Sequence, residues 1–454
     1  CLESAASRRY AHRDGRIAPP GREGVTVSFA GPPLLRNVDF RKLWASQAAT
    51  VYGYFTILIA IPLLVFSRTH SAWQTGLVAA FETLAYPLVA PWAGVAADRM
   101  NRRVIMLTCD ATRAVLYGSI PLAAAFGTVA ILHVYIVAAL APLFTVLFDA
   151  CALSTLTALV RRDQLVEANA RLQITVSVGS LVGPSVAGLL ITNIGEARSL
   201  LVACVTFACS FCALASIRRP FQRHDLGAAQ GRSVRADLVE GLHFLWRQRT
   251  VRALACVLFV FTLADGGIYG LLPVYALEGL NIRKGLVGLL YAASGIGGIA
   301  SAFLVTRVSA RLGIRTMMIG GFSLAGVLTV AMAFAPTLPA ALFLLMLRAF
   351  CVEMVIITVI SLRQRLIPDH LQGRVNIAAR AISMSGFPLS SSLAGFGIDI
   401  IGVRPVYALM SIFIFISALF GLLVPRRADV ERQVAAMLAS QERDTPHPAP
   451  VAIG

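Results

Sequence analysis

The stretch "GVAADRMNRRVIML", residues 94–107, decides how this chain is read. It lies between two long apolar runs and gathers Asp98, Arg99, Arg102 and Arg103 into one short connection. The chain around it is poor in charge. Of 454 residues, 57% are hydrophobic and 14% charged, where a soluble domain carries about a quarter charged residues. Apolar runs recur from end to end, each long enough to cross roughly 30 Å of hydrocarbon. The reading is an all-α integral membrane protein with about twelve transmembrane helices. The spans are expected over 43–66, 72–97, 104–126, 129–160, 172–193, 199–217, 253–277, 285–306, 316–335, 338–362, 376–401 and 405–424.

The net charge of +17 follows the same plan. Arg99, Arg102, Arg103, Arg161, Arg162, Arg307, Arg311, Arg315, Arg363, Arg365 and Arg374 fall in connections on one side, as does the basic central loop. The other side holds Arg68, Arg198, Arg283, Lys284 and Arg404. Short loops rich in arginine stay in the cytoplasm, so both termini are expected there. The charge is a topology signal. It suits anionic lipid headgroups and not a nucleic acid.

The connection 218–252 divides the spans into two halves, 41–217 and 253–424, flanked by an N-terminal extension (1–40, expected disordered) and a cytoplasmic tail (425–454). Within the connection, "SVRADLVEGLHFLWRQR" sets Val234, Leu238, Leu242 and Leu245 on one helical face behind a candidate N-cap, Ser233. That is an amphipathic helix for the cytoplasmic surface. "RVSARLGIR" (307–315) echoes "DRMNRR", and Asp369 aligns with Asp163 at nearly the same offset. Parallel repeats around a central cavity are a transporter architecture.

Ionisable residues inside spans are costly, about 2.5–3.5 kcal/mol each at mid-membrane, so they mark cavities or partners. Asp110 and Arg113 stand at i and i+3 on one helix face and can pair. Glu82, Asp149, Asp265, Arg348 and Glu353 have no such local partner. Glu82 and Asp265 lie away from span ends, which makes them the leading candidates for proton carriers or ligands of a cationic substrate. Asp149 stands nearer the cytoplasmic end, Arg348 can hold a substrate carboxylate or neutralise Glu353, and Arg380 belongs to the gate. No catalytic constellation, P-loop or H-E-x-x-H is present, and "GIGGIA" (295–300) falls inside a span with no βαβ context. Neither a metal nor a cofactor is expected.

"GVAADRMNRR" resembles the loop signature between helices 2 and 3 of the major facilitator superfamily. "GSLVGPSVAG" (179–188) resembles its helix-5 motif, carried here by Gly179, Gly183, Pro184 and Gly188. "FRKLWASQ", "LVRRDQLVEANA", "LVEGLHFLWR" and "QRLIPDHLQGRV" are similar to the branch containing the enterobactin exporter and the macrolide efflux proteins. The resemblance implies two pseudo-symmetric six-helix bundles in a bacterial cytoplasmic membrane. It also implies a monomer that exports a small organic molecule, such as a drug or siderophore, against proton entry. The residues themselves would serve an importer of a small metabolite equally, and a non-transporting sensor or scaffold is the third possibility. The pattern is broken at Asn101 (often Gly), Ala310 (the acid of the second-half copy) and Tyr54 (often Asp). Asp98 is expected to latch the cytoplasmic side in the outward-open state. It would accept hydrogen bonds from the N-terminal backbone of span 11, where the helix dipole is positive.

Overall fold

The computed structural model describes residues 34–127, 129–221, 234–368 and 371–425, with Asp429 and Arg432. The extension as far as residue 33, the cap assigned to Ser233, Asp369 and the tail beyond 432 lie outside the described residues.

Among the described residues, twelve helices run for 18 to 32 residues. In the first half they are α1 (Val38–Thr69), α2 (Ala72–Arg99), α3 (Arg102–Ala125), α4 (Ile131–Leu159), α5 (Leu165–Ile194) and α6 (Glu196–Ala215). A shorter helix, α7 (Val234–Arg247), lies in the central connection. The second half holds α8 (Arg249–Gly270), α9 (Leu272–Val274), α10 (Val287–Leu312), α11 (Ile314–Ala333), α12 (Leu338–Leu366), α13 (Gln372–Ile401) and α14 (Val403–Phe420). Ten of the long helices are apolar enough to cross a membrane by length and composition. The other two are α3, which carries Asp110 and Arg113, and α13, which carries Arg374, Arg380 and Asp399. Those charges dilute the two helices.

Local chemistry sets the ends. Asn37 accepts from the amides of Asp39 and Phe40 at 3.1 and 3.2 Å, and so caps α1. Asn101 accepts from Arg103 and Val104 at 3.0 and 3.4 Å. That gives a reason for the departure from Gly: Asn caps a helix start that glycine would leave without a side-chain acceptor. The span expected over 253–277 is not one helix. α8 stops at Gly270, and after the short α9 comes a π-helical turn, Tyr275–Gly279. Pro273 lacks the amide that an unbroken helix would need there.

The packing repeats between halves. α1 packs on α5 and α6, α3 on α4 and α6, and α2 on α4. In the same way α8 packs on α13 and α14, α11 on α12 and α14, and α10 on α12. The halves meet through α2 against α13 and α5 against α10. α7 docks beside α13, with Leu245 buried and Glu240 Oε2 accepting from Arg374 Nη1 at 2.6 Å. Val239 and Trp246 of α7 stay exposed.

Candidate functional site

Glu82 projects from the middle of α2, and its Oε1 is buried without a hydrogen-bond partner among the described residues. Tyr54 of α1, Tyr117 of α3 and Tyr291 of α10 are within electrostatic range of it. Tyr291 donates to the Tyr269 carbonyl at 3.2 Å and packs edge-on against the Tyr269 ring at 5.0 Å. The carboxylate therefore has phenols of both halves within electrostatic range. A buried carboxylate without a partner attracts a proton or an organic cation.

Two further charged groups, Asp149 and Arg380, connect to this one through Tyr54, which is within electrostatic range of Asp149. Tyr54 is 52% exposed although it stands mid-helix among the long helices, and Asp149 of α4 is exposed as well. The guanidinium of Arg380, from α13, lies 4.2 Å above the Tyr86 ring of α2. Asp149 is within electrostatic range of both Arg113 and Arg380. Arg380 therefore reaches from the second half into the first, beside an acid.

Of the remaining intramembrane charges, four form two pairs, one as expected and one not, and Glu353 is left over. Asp110 and Arg113 meet at 2.5 Å, with side chains 0% and 2% exposed. Ser210 donates to the other oxygen of Asp110 at 2.5 Å, Ser46 shares a hydrogen bond with Ser210 at 2.7 Å, and Arg113 lies 4.4 Å from the rings of both Phe148 and Phe207. A charge pair so enclosed has no room for a ligand. Asp265, by contrast, is not the unpartnered acid that its sequence neighbours implied. Arg348 of α12 donates to it at 2.6 Å and to Thr329 of α11 at 3.0 Å. Arg348 neutralises Asp265 and not Glu353, because the α8 face carrying Asp265 packs at the depth of Arg348. Glu353 is left with no hydrogen bond or ion pair among the described residues, and it borders Gly298 of α10.

The helix-5 motif works by close approach. A Cβ on Gly179 would come within 2.3 Å of Val51, and one on Gly183 within 2.8 Å of Phe55, both in α1. Farther along α5, a Cβ on Gly188 would stand 2.3 Å from the Gly285 carbonyl, and the Pro184 carbonyl is 2.0 Å from where Gly288 would carry one. α5 is therefore pinched between α1 and α10. The opposite interface is equally tight at the same end. Cβ atoms on Gly76 of α2 and Gly395 of α13 would lie 2.2 and 2.4 Å from backbone oxygens of the partner helix.

The Arg-rich end differs. Cβ atoms on Gly94 of α2 and Gly373 of α13 would meet nothing within 4 Å among the described residues. Asp98 is 58% exposed and contacts Arg102 of its own half at 3.5 Å, so the expected bond to the start of α13 is not made in this conformation. Arg102 instead braces the turn, donating to the carbonyls of Ala97 and Ser154 at 2.7 and 3.3 Å. Arg103 donates to the Ala215 carbonyl at 2.6 Å, and Arg99 is engaged as well.

One group was missed from sequence altogether. Asp399, in the last turn of α13, accepts from Ser71 Oγ at 2.7 Å, the Ala72 amide at 2.7 Å and the Trp73 amide at 3.1 Å. The available signal was an acid ending an apolar run on the arginine-poor side.

Comparison with known proteins adds the following. The model of the Major Facilitator Superfamily matches residues 43–391, and again residues 254–446. Over 418 residues the chain is 26% identical to the multidrug efflux pump Tap of Mycolicibacterium fortuitum, covering 90% of this chain and 99% of Tap. Over 391 residues it is 24% identical to the enterobactin exporter EntS of Salmonella typhimurium, covering 82% and 92%. A bacterial homologue of the human lysosomal transporter Spinster, solved in an inward-facing, unoccupied conformation, superposes with a TM-score of 0.71 at 14% identity. That match covers 89% of this chain and 99% of the homologue.

Proposed function

Because this chain belongs to the Major Facilitator Superfamily, we propose that it exports a small organic molecule from the cytoplasm in exchange for protons, by alternating access. The positive-inside bias puts the Arg-rich end in the cytoplasm of a bacterial cell, with both termini on that side of the inner membrane. In this orientation the tight helix contacts at Gly76, Gly395, Gly188 and Gly288 lie at the outer end. Gly94, Gly373 and Asp98 at the cytoplasmic end make no contact across the halves among the described residues, which supports an inward-open reading. Export as the direction draws on the two efflux relatives.

The observation that carries the proposal is Glu82. A buried acceptor left without a partner costs about 1–3 kcal/mol. Arg113 Nε is also buried without a partner, but its charge is paired with Asp110, whereas Glu82 has neither a hydrogen bond nor an ion pair among the described residues. A group of this kind persists where it binds something that comes and goes. In the inward-open state a positively charged or hydrogen-bond-donating substrate takes the Glu82 carboxylate. In the outward-open state a proton takes it and expels the substrate. Asp149 with Arg380, and Glu353 across the cavity, tune the field around it. Asp110 with Arg113, and Asp265 with Arg348, hold helices in place. Asp98, Arg99, Arg102 and Arg103 close the cytoplasmic side in the alternate state, and Gly179, Gly183, Pro184 and Gly188 supply the tight α5 interfaces. The protein works as a monomer, without a cofactor.

The test is cellular accumulation of dyes, macrolides and catechol siderophores, with and without a protonophore, in cells expressing wild type or Glu82→Gln. The proposal expects at least one compound to be excluded by wild type and retained both by the variant and on collapse of the gradient. Accumulation driven by wild type would instead identify an importer. No effect on any compound, with inserted protein confirmed, would leave a scaffold as the reading.

A further inference from the structure

α2 and α13 run antiparallel along the interface between halves, and each carries an acid in its last turn. Asp98 ends α2 on the Arg-rich side, and Asp399 closes α13 on the start of α2. In this conformation the engagement is one-sided. Asp98 holds Arg102 of its own half, whereas Asp399 receives three hydrogen bonds from the opposite half.

The chemistry of this contact is specific. The first amides of a helix have no partner inside it and carry the positive end of the dipole. Ser71 caps one of them, at Gln74. The amides of Ala72 and Trp73 are satisfied by Asp399, a residue 326 to 327 positions away in sequence. Ser391, Gly395 and Asp399 recur every four residues along one stripe of α13, facing Ala72 and Gly76 across direct backbone contact. Trp73 also packs edge-on against Phe396 at 6.2 Å. Parting the halves at this end separates all of these contacts at once except the Ser71 cap, which stays within the first half. Beside the other interface, α5 against α10, Lys284 just before α10 pairs with Glu196 at the start of α6 at 2.5 Å.

We propose that Asp399 is the extracellular latch of the transport cycle: a positioning residue that holds the outer gate shut by capping α2, and the counterpart of the Asp98 latch on the cytoplasmic side. The two acids sit at opposite ends of one antiparallel helix pair, so rocking of the halves engages one as it releases the other. This inference rests on the alternating-access reading but not on the substrate or the coupling ion.

Hydrogen exchange measured by mass spectrometry tests it, on the full chain in lipid nanodiscs at fixed pH, with no substrate and no gradient. In Asp399→Ala, exchange should rise about tenfold over residues 71–76, which corresponds to about 1.4 kcal/mol. It should rise as well over 184–195 and 284–291, the other outer interface, which Asp399 does not touch. Over 94–104 and 371–377 it should fall as the cytoplasmic end closes. Asp399→Asn, which keeps a capping oxygen, should restore most of the wild-type pattern. Ser71→Ala removes one of the three donors and should shift the pattern the same way but less, which carries the test if Asp399→Ala does not fold. An increase confined to 71–76 in either variant would reduce Asp399 to a local cap and overturn the proposal. The reciprocal pattern in a protein that moves none of the test compounds would uphold the latch and refute only the export reading.

Discussion

Replacing Glu82 by methionine should make the protein more stable and unable to transport. The Oε1 of Glu82 is buried with no partner among the described residues. Leaving such an acceptor unpaired costs about 1–3 kcal/mol, and removing it recovers that amount. Methionine is unbranched, flexible and of similar length, so it fills the same space with little strain. Volume-conserving swaps of this type cost less than about 1.5 kcal/mol. The balance is a net gain of about 1 kcal/mol, read as a raised midpoint of thermal unfolding in detergent. Export, measured in the same cells, should fall to the level of the empty vector. A loss of stability greater than about 1 kcal/mol would mean that the carboxylate has a structural partner, and the reasoning that assigns it to a ligand would fail. Undiminished export would fail it independently.

Three other outcomes are expected. Arg113→Met strands Asp110 as a buried unpaired charge and should cost about 3–5 kcal/mol, most of it regained in the double variant Asp110→Asn/Arg113→Met; no rescue in thermal unfolding would show that the pair does not act as a unit. Gly288→Ala places a methyl 2.0 Å from the Pro184 carbonyl, so it should disfavour outer closure and protect the cytoplasmic end from exchange, whereas Gly94→Ala, with nothing within 4 Å, should change little. The third outcome concerns pH. Glu278, in the turn after α9, has its carboxyl pushed up by burial first and then by Asp399, against a lowering by His70; Arg404 donates to the neighbouring Gly279 carbonyl at 3.3 Å. An acid with a raised pKa binds its proton more tightly in the closed gate than after opening, so closure should strengthen as pH falls through that raised value and weaken as pH rises through it. Glu278→Gln should flatten this dependence of exchange over 71–76, and an unchanged slope would remove Glu278 from the gate.

Some of the site was legible before any helix was packed, because the features concerned are local. Asp110 and Arg113 pair as expected because i and i+3 share a helix face wherever the helix goes. The glycines of the helix-5 motif stand four and five residues apart, a spacing that permits close approach, but it does not say that Gly179 would face α1 and Gly188 would face the start of α10. Pro273 was visible too, and the break it causes after Gly270 could have been read from the missing amide. Asp265 was misread for the opposite reason. Its partner lies 83 residues away on another helix, and only rotation and depth of packing bring Arg348 to it. Asp399 escaped notice because an acid at a span end is ordinary until a foreign helix start is laid against it.

Hydropathy and charge placement, each a sum over neighbouring residues, by themselves determined that this chain spans a membrane about twelve times, in two matching halves, with most of its loop arginines on one side. Tertiary structure alone decided which acids are neutralised and which stand free. It also decided which end of the helix pair α2 and α13 is shut. Those outcomes depend on distances of a few ångströms between residues far apart in the chain, and no periodicity along a single helix encodes which face of another helix it will meet.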